Sequence, residues 1–151
     1  MKSLKQYVEK SINESILDDE DVLLDPERDK EIIKSWIEDN YKIGGCLKIN
    51  DDLTVDCSGN VTIKNTNIES LTNGLFRWGK IGRGFDCSDC KNLTSLEGTP
   101  KDVGRDFVCI LCPLIESLEG SPEKVGGGFY CSHCDNLTSL EGAPKEVVYG
   151  F

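Results

Sequence analysis

Residues 109–130 read CILCPLIESLEGSPEKVGGGFY, and the segments on either side repeat the same pattern. Residues 87–108 read CSDCKNLTSLEGTPKDVGRDFV, and residues 131–151 read CSHCDNLTSLEGAPKEVVYGF. The first cysteine of each copy recurs at a spacing of 22 residues. A fixed period of this size is typical of solenoids, in which each repeat adds one coil to a continuous stack. The sequence therefore predicts a solenoid over residues 61–151.

Apolar residues and cysteines occupy the same places in every copy. In the middle copy Phe107 and Cys109 lie two residues apart, so both side chains point to one face of a short strand. The Gly-x-Pro motif that follows, Gly120 to Pro122, forces a turn and an extended return path. The residues that we expect in the core of the solenoid are Phe85, Cys87, Cys90, Phe107, Cys109, Cys112, Phe129, Cys131 and Cys134.

The spacing Phe107-x-Cys109-x-x-Cys112-x-x-Ile115-x-x-Leu118 resembles a leucine-rich repeat in its cysteine-bearing form. The unit has no room for a convex helix, and it is most similar to the compact repeats of bacterial secreted effectors and of tailed-phage proteins. The resemblance implies an α+β protein: a leucine-rich-repeat solenoid with a short parallel β-sheet, an extended convex side and an N-terminal helical cap.

Residues 1–45 are predicted to form that cap from two helices joined by an acidic linker. The first helix covers Ser3–Leu17, where apolar residues recur at helical spacing. The second begins at Asp25-Pro26, an N-cap followed by proline at the first helical position, and ends at Gly44-Gly45.

Residues 46–64 are predicted to form a β-meander that leads into the solenoid. Leu47–Ile49, Leu53–Cys57 and Val61–Ile63 alternate apolar and polar residues, as strands do. The connection after them carries Phe76 and Trp78, which we expect to fill the convex side.

The chain has 27 acidic and 17 basic residues, a formal net charge of −10 at pH 7. Nucleic-acid affinity depends on Lys and Arg that neutralise phosphates, so this balance argues against direct binding of DNA or RNA. No run approaches the ~18 apolar residues of a membrane span, and no apolar core of a secretory signal is visible. Eight cysteines without such a signal indicate a reducing compartment, so we expect a cytoplasmic protein with free thiols.

The three CxxC pairs, separated by eighteen residues, also match the spacing of a zinc ribbon. Because each cysteine coincides with an inward position of the repeat, we expect buried free thiols that pack as small apolar groups. Structural zinc and disulfides remain alternatives, and no metal or cofactor is predicted.

The residues between the inward positions should face outward on the concave sheet, and they form rows across the coils. In the middle row Val108, Ile110 and Leu111 are all apolar, whereas the neighbouring rows are polar or mixed. An apolar patch with a polar rim and a nearby tyrosine is typical of a protein-binding hot spot. The predicted partner-binding residues are Val108, Ile110, Leu111, Tyr130, Ser132, His133, Asp86 and Asp89. The alternative is that a loop or a second copy of the chain covers them.

No catalytic constellation is visible, because the single histidine, His133, should point away from Cys131 and Cys134. We therefore predict a non-catalytic protein-interaction module. The effector and phage resemblance implies a modulator or inhibitor of a host bacterial protein, such as a component of a defence system. One alternative is an acidic nucleic-acid mimic that blocks a DNA- or RNA-binding enzyme.

Another alternative is a phage structural or head-packaged protein. Residues 1–15, MKSLKQYVEKSINES, resemble the head-targeting peptides of internal phage proteins, and Ile12-Asn13-Glu14 fits their cleavage motif. Such a protein would be carried in the phage particle before it reaches the bacterial cytoplasm. The exposed strand edge of the last copy also suggests homo-oligomers formed through the C-terminal end of the solenoid.

Overall fold

The computed structural model describes residues 26–150, in which one helix precedes eleven short strands. The helix predicted over residues 3–17 and the phage-like peptide of residues 1–15 lie outside the described residues. Helix α1 spans Pro26–Asn40, so proline stands at its first position as the sequence predicts. The strands, in chain order, are β1 (Tyr41–Ile43), β2 (Leu47–Ile49), β3 (Thr54–Cys57), β4 (Val61–Ile63), β5 (Arg77–Ile81), β6 (Phe85–Asp86), β7 (Asp102–Val103), β8 (Phe107–Val108), β9 (Lys124–Val125), β10 (Phe129–Tyr130) and β11 (Glu146–Val147).

The repeats stack into a parallel-rich β-solenoid of about four turns. Each coil contributes one strand to a first sheet, in the order β1-β4-β6-β8-β10, and one to a second sheet, in the order β11-β9-β7-β5-β3-β2. The expectation of a single sheet with an extended convex side is therefore wrong. The return path forms a sheet because Val103 and Val125 pair in register, with hydrogen bonds from one coil to the next.

Aromatic rings and thiols fill the space between the two sheets. Phe85, Phe107 and Phe129 stack nearly parallel, with ring centroids 5.8 and 5.1 Å apart along the column. Each stacked pair adds about 0.5–1.5 kcal/mol beyond the burial of its area. Of the predicted core residues all are buried except Cys131, which is half-buried because it belongs to the last described coil.

Each coil has a turn that contains the Gly-x-Pro motif, and we call this turn the long corner. Its glycine, which is Gly98, Gly120 or Gly142, allows neighbouring coils to approach closely. Gly120 has φ of +85°, a conformation that other residues adopt at a cost. A Cβ atom at this position would lie 2.6 Å from the backbone nitrogen of Glu97 in the preceding coil. The Gly-x-Pro motif thus sets the turn and also the coil-to-coil distance.

The described part of the N-terminal cap consists of α1, which buries Ile33, Trp36 and Ile37 against the first coil. The helix ends at Asn40, four residues before the predicted end at Gly44-Gly45. Residues 41–43 form β1 instead, antiparallel to β4, because Tyr41 and Ile43 alternate with Lys42 and match the pleat. The Oη atom of Tyr41 donates to the carbonyl of Leu71 at 2.7 Å, and burial raises the pKa of this phenol well above its ordinary value.

The predicted β-meander of residues 46–64 is correct in its strands but not in their pairing. β2 and β3 form an antiparallel hairpin in the second sheet, whereas β4 crosses to the first sheet. The burial predicted for Phe76 and Trp78 is confirmed, since their rings pack at 5.2 Å on the inner side of β5. The aromatic cluster and α1 together close the solenoid at this end.

Candidate functional site

The outward residues of the first sheet stand in the rows that the sequence predicts. Asp86, Val108 and Tyr130 are aligned in register across β6, β8 and β10. Beyond the strands, the amide of Asp89 donates to the carbonyl of Ile110 at 2.8 Å, which keeps the coils aligned. The first sheet therefore brings the predicted partner-binding residues side by side.

Five apolar residues at or near the first sheet have at least partly exposed side chains, and we call them the apolar patch. Leu111 is 49% exposed, Leu114 40% and Tyr130 49%, while Val108 and Ile110 are half-buried. Exposed aromatic and aliphatic side chains grouped within a polar surface are characteristic of protein-binding sites.

Four of the five residues of the apolar patch lie on the middle coil, which differs from its neighbours at outward positions, and Tyr130 lies on β10 of the next coil. Ile110 stands where the flanking coils have Ser88 and Ser132. Leu114 stands where they have Asn92 and Asn136, and it was not among the residues that we predicted for the site. Comparing the three copies position by position reveals it, since both flanking copies share a polar residue there.

Leu111 occupies a backbone conformation that does not favour leucine. Its φ angle is +59°, and the equivalent residues Asp89 and His133 have φ of +59° and +55°. Asp, Asn and His are enriched in this left-handed region, whereas a branched apolar residue is an outlier there. The same preference gives His133 a structural reason for its position, independent of any role in binding.

Tyr130 is placed by a glycine two residues before it. A Cβ atom on Gly128 would lie 2.4 Å from the Oη atom and 2.5 Å from the Cζ atom of Tyr130, so the ring occupies the space that the missing side chain leaves. This contact holds an exposed aromatic ring beside Val108 at the edge of the apolar patch.

Carboxylates border the apolar patch and form no ion pair within residues 26–150. Asp86 and Asp89 lie on the preceding coil, and Asp135 lies on the following one. One oxygen of Asp86 accepts a hydrogen bond from the amide of Ser88 at 2.9 Å, which leaves the other oxygen available. Lys91 stands two residues after Asp89 in the sequence and forms no ion pair with these three carboxylates.

The outer surface of the second sheet follows a different rule, because its charges alternate from strand to strand. Lys80 lies 3.8 Å from Asp102, and Lys124 lies 3.3 Å from Glu146. A parallel row places Glu123 between Lys101 and Lys145, at 3.2 and 4.0 Å. The hydrogen bond from Lys101 lowers the pKa of Glu123. The ionic side chains on this side therefore largely satisfy one another.

An open groove of about 1,020 Å³ runs beside the second sheet and is the other concavity to consider. Hydroxyl groups, including those of Thr54, Thr99 and Ser121, line it together with the paired Lys80 and Lys101. Thr99 donates its hydroxyl to a carbonyl of the next coil at 2.5 Å, so it serves the coil stacking.

Six of the eight cysteines are buried, Cys131 is half-buried and Cys46 is exposed, and all eight are free thiols. Hydrogen bonding with Cys112 raises the pKa of Cys90 and of Cys109, and burial adds to both shifts. The thiol of Cys112 also lies 3.3 Å from the carbonyl of Cys87, which can accept its hydrogen. Within residues 26–150 no group of three or more His, Cys, Asp or Glu side chains is arranged to hold a metal ion.

His133 and its neighbouring cysteines point in different directions. His133 is exposed, whereas Cys134 is buried and donates its thiol to the carbonyl of Cys109 at 3.3 Å. The arrangement lacks the Cys–His hydrogen bond that would activate a nucleophile.

Across residues 26–150, no helix combines the length and the apolar composition needed to cross a membrane.

The last described coil exposes apolar residues of its own. Leu140 is 61% exposed, and Val148 and Tyr149 are also exposed. In the preceding coil the equivalent of Leu140 is Leu118, which the next coil covers completely. Leu140 is therefore exposed by its place at the end of the stack, whereas Leu111 is exposed with a coil on each side of it.

Comparison of the chain with protein-family models, with curated proteins and with solved structures found no match.

Proposed function

We propose that this chain is a non-catalytic protein-interaction module that binds a partner protein through the apolar patch. Leu111 carries the proposal, because it is an exposed leucine at a left-handed backbone position where Asp and His stand in the neighbouring coils. The left-handed conformation costs a branched residue about 1–2 kcal/mol. A residue that breaks a local rule without serving the core is best explained by a contact outside the fold.

The proposed interface extends from the apolar patch onto its polar rim. A stable interface buries about 800 Å² on each partner, more than five side chains supply. The predicted residues Asp86, Asp89, Ser132 and His133 surround the patch and would complete it. Tyr130, an exposed aromatic residue held by Gly128, would act as a rigid anchor of the kind that dominates binding energy.

The identity of the module belongs to the same proposal. The inward spacing resembles a leucine-rich repeat, and the short unit resembles effector and tailed-phage repeats. On this basis we propose a phage- or effector-encoded modulator of a host bacterial protein, with a component of a defence system as one candidate target.

The test is a pull-down from lysate of the host or source cell, followed by binding measurements with the purified partner. The variant Leu111→Asn removes the apolar side chain and suits the backbone, so it should fold at least as well as wild type. The matched control is Leu140→Asn, which removes another exposed leucine, outside the patch. We expect one partner to be lost with Leu111→Asn and retained with Leu140→Asn.

Equal capture by both variants would place the binding site elsewhere and contradict the proposal. Light scattering on the same proteins tests the two self-association hypotheses. A dimer that only Leu111→Asn dissociates indicates that a second copy covers the patch. A dimer that only Leu140→Asn dissociates indicates association through the C-terminal edge.

A nucleic-acid mimic is the second candidate, and one feature of the long corner favours it. Glu97, Glu119 and Glu141 stand at the same position of successive coils, exposed and without an ion pair among residues 26–150. A row of carboxylates could occupy a basic groove in place of phosphates. Binding of that kind should collapse at high salt and survive Leu111→Asn.

A further inference from the structure

We propose that the partner presents a basic amphipathic segment to the first sheet, with apolar side chains bordered by Lys or Arg. This inference rests on the proposed protein-binding function and names the chemistry of the partner at the same site. It follows from the contrast between the unpaired carboxylates around the apolar patch and the paired ones on the second sheet.

The carboxylates on the outer surface of the second sheet have lysines of this chain as partners. Asp102, Glu123 and Glu146 each have a lysine within 4.0 Å on a neighbouring coil. Asp86 and Asp89 have no such partner within residues 26–150, although lysines would fit at outward positions of the adjacent coils. On the following coil those positions carry Val108, Ile110 and Leu111, and on the preceding coil Lys64 donates instead to the carbonyl of Glu38 at 2.6 Å. A cation supplied by the partner would complete the pattern.

The geometry matches a short amphipathic segment. Asp86 is aligned with Val108, and Asp89 is hydrogen-bonded through its backbone to Ile110, so each carboxylate is one coil away from an apolar anchor. Neighbouring strands are about 4.8 Å apart. On a helix, an apolar residue and a lysine three or four positions away have Cβ atoms about 5–6 Å apart. A helix that places apolar residues on the patch would therefore bring its flanking cations to the carboxylates.

The same charges disfavour the other classes of surface. Nucleic acids and anionic membranes would bring phosphates close to Asp86, Asp89 and Asp135, and the negative charges would repel one another. An acidic peptide has the same disadvantage. A purely apolar ligand would leave the rim carboxylates partly desolvated and unpaired, which costs free energy.

Three labelled synthetic peptides of about 18 residues test the inference, each designed as an amphipathic helix. The first has a leucine stripe flanked by lysines, the second has the same stripe flanked by glutamates, and the third has lysines with alanine in place of leucine. Fluorescence anisotropy at about 50 and 500 mM salt measures their affinity for the full chain. We expect the leucine–lysine peptide to bind at least about tenfold more tightly than either of the others.

Two double variants locate the charges responsible. Asp86→Asn with Asp89→Asn keeps the hydrogen bond to the Ser88 amide and suits the left-handed backbone at position 89. Glu97→Gln with Glu119→Gln removes the same number of unpaired exposed carboxylates from the long corner and is the matched control. We expect the first variant to lose about fivefold in affinity and much of the salt dependence, and the control to lose neither.

The outcomes separate this inference from the function on which it rests. If the leucine–glutamate peptide binds as tightly as the leucine–lysine one and Leu111→Asn weakens both, the patch binds protein but the partner is not basic. The inference is also overturned if none of the peptides binds, or if the control loses as much affinity as the Asp86 and Asp89 variant. If the leucine–lysine peptide binds and Leu111→Asn has no effect, the inference and the proposed site both fail.

Discussion

The outer surfaces of the two sheets differ although one repeat builds both. On the second sheet, lysines and carboxylates alternate along rows such as Lys80, Asp102, Lys124 and Glu146, so each coil neutralises the next. On the first sheet, the outward positions of the middle coil are apolar and the carboxylates beside it form no ion pair within residues 26–150. The difference suggests that one surface serves the stacking of coils and the other serves recognition.

The largest effect is expected from the core that both surfaces share. Phe107→Ala should lower the free energy of unfolding by about 3–5 kcal/mol, because it removes the middle ring of the Phe85–Phe107–Phe129 column. Urea denaturation followed by circular dichroism measures the change. Phe107→Leu, which retains most of the volume but removes the ring, should cost clearly less, and an equal loss would mean that ring stacking rather than buried volume carries the effect.

The second prediction separates the stability of the first sheet from its binding. Leu111→Asn should leave the free energy of unfolding unchanged or raise it by up to about 1 kcal/mol, since asparagine tolerates φ of +59° better than leucine. Its affinity for the partner or the leucine–lysine peptide should fall by about tenfold or more. A clear loss of stability in this variant would mean that Leu111 supports the fold.

The third prediction breaks the alternation on the second sheet. Lys124→Glu would place a third carboxylate between Asp102 and Glu146, and it should lower the free energy of unfolding by about 1 kcal/mol at low salt. The loss should shrink at high salt, because these side chains are exposed. Peptide binding to the first sheet should not change.

A charge swap provides the control for that experiment. Lys124→Glu with Glu146→Lys restores the ion pair at one end of the row, so it should recover part of the lost stability. If the single and double variants are equally stable, the alternation has no energetic role.

The smallest effect concerns the pH dependence of the second sheet. Asp56 accepts hydrogen bonds from the Lys80 amide at 2.7 Å and from the Asn50 side chain at 3.0 Å, and the first of these is the main cause of its lowered pKa. Because the folded pKa lies below the unfolded value of about 4, the stabilisation is present above that value. It is lost as the pH falls through the folded pKa.

The variant Asp56→Asn keeps an acceptor oxygen but cannot ionise. Since Asp56 is partly exposed, we expect its contribution to stay below about 1 kcal/mol. Urea denaturation between pH 2 and 7 should therefore show that the free energy of unfolding falls slightly less at acid pH in the variant than in wild type. Identical pH profiles would show that the carboxylate contributes nothing to acid stability.

The sequence was sufficient to predict the columns of the solenoid. The 22-residue period identified the buried Phe and Cys positions, and the alternation in Leu47–Ile49 and Val61–Ile63 identified two strands to the residue. These features are local, because a side chain that faces the core must be apolar in every copy. The same comparison of copies indicated Val108, Ile110 and Leu111 as an apolar exception.

The tertiary structure decided the features that depend on neighbouring coils. The strands of the second sheet after β5 are two residues long, too short to show alternation, and they exist because Asp102 and Lys124 are held in register by hydrogen bonds between coils. β1 likewise depends on Ile63, which is distant in the sequence.

Two further features could not be predicted from the period. The left-handed turn at Leu111 is a property of the backbone conformation. The ion pairs of the second sheet join residues about 22 positions apart in the sequence. The period of the sequence identifies which residues point inward, because an inward position requires an apolar residue in every copy. Pairing, register and backbone strain arise only when the coils are stacked, because they depend on distances between chain segments.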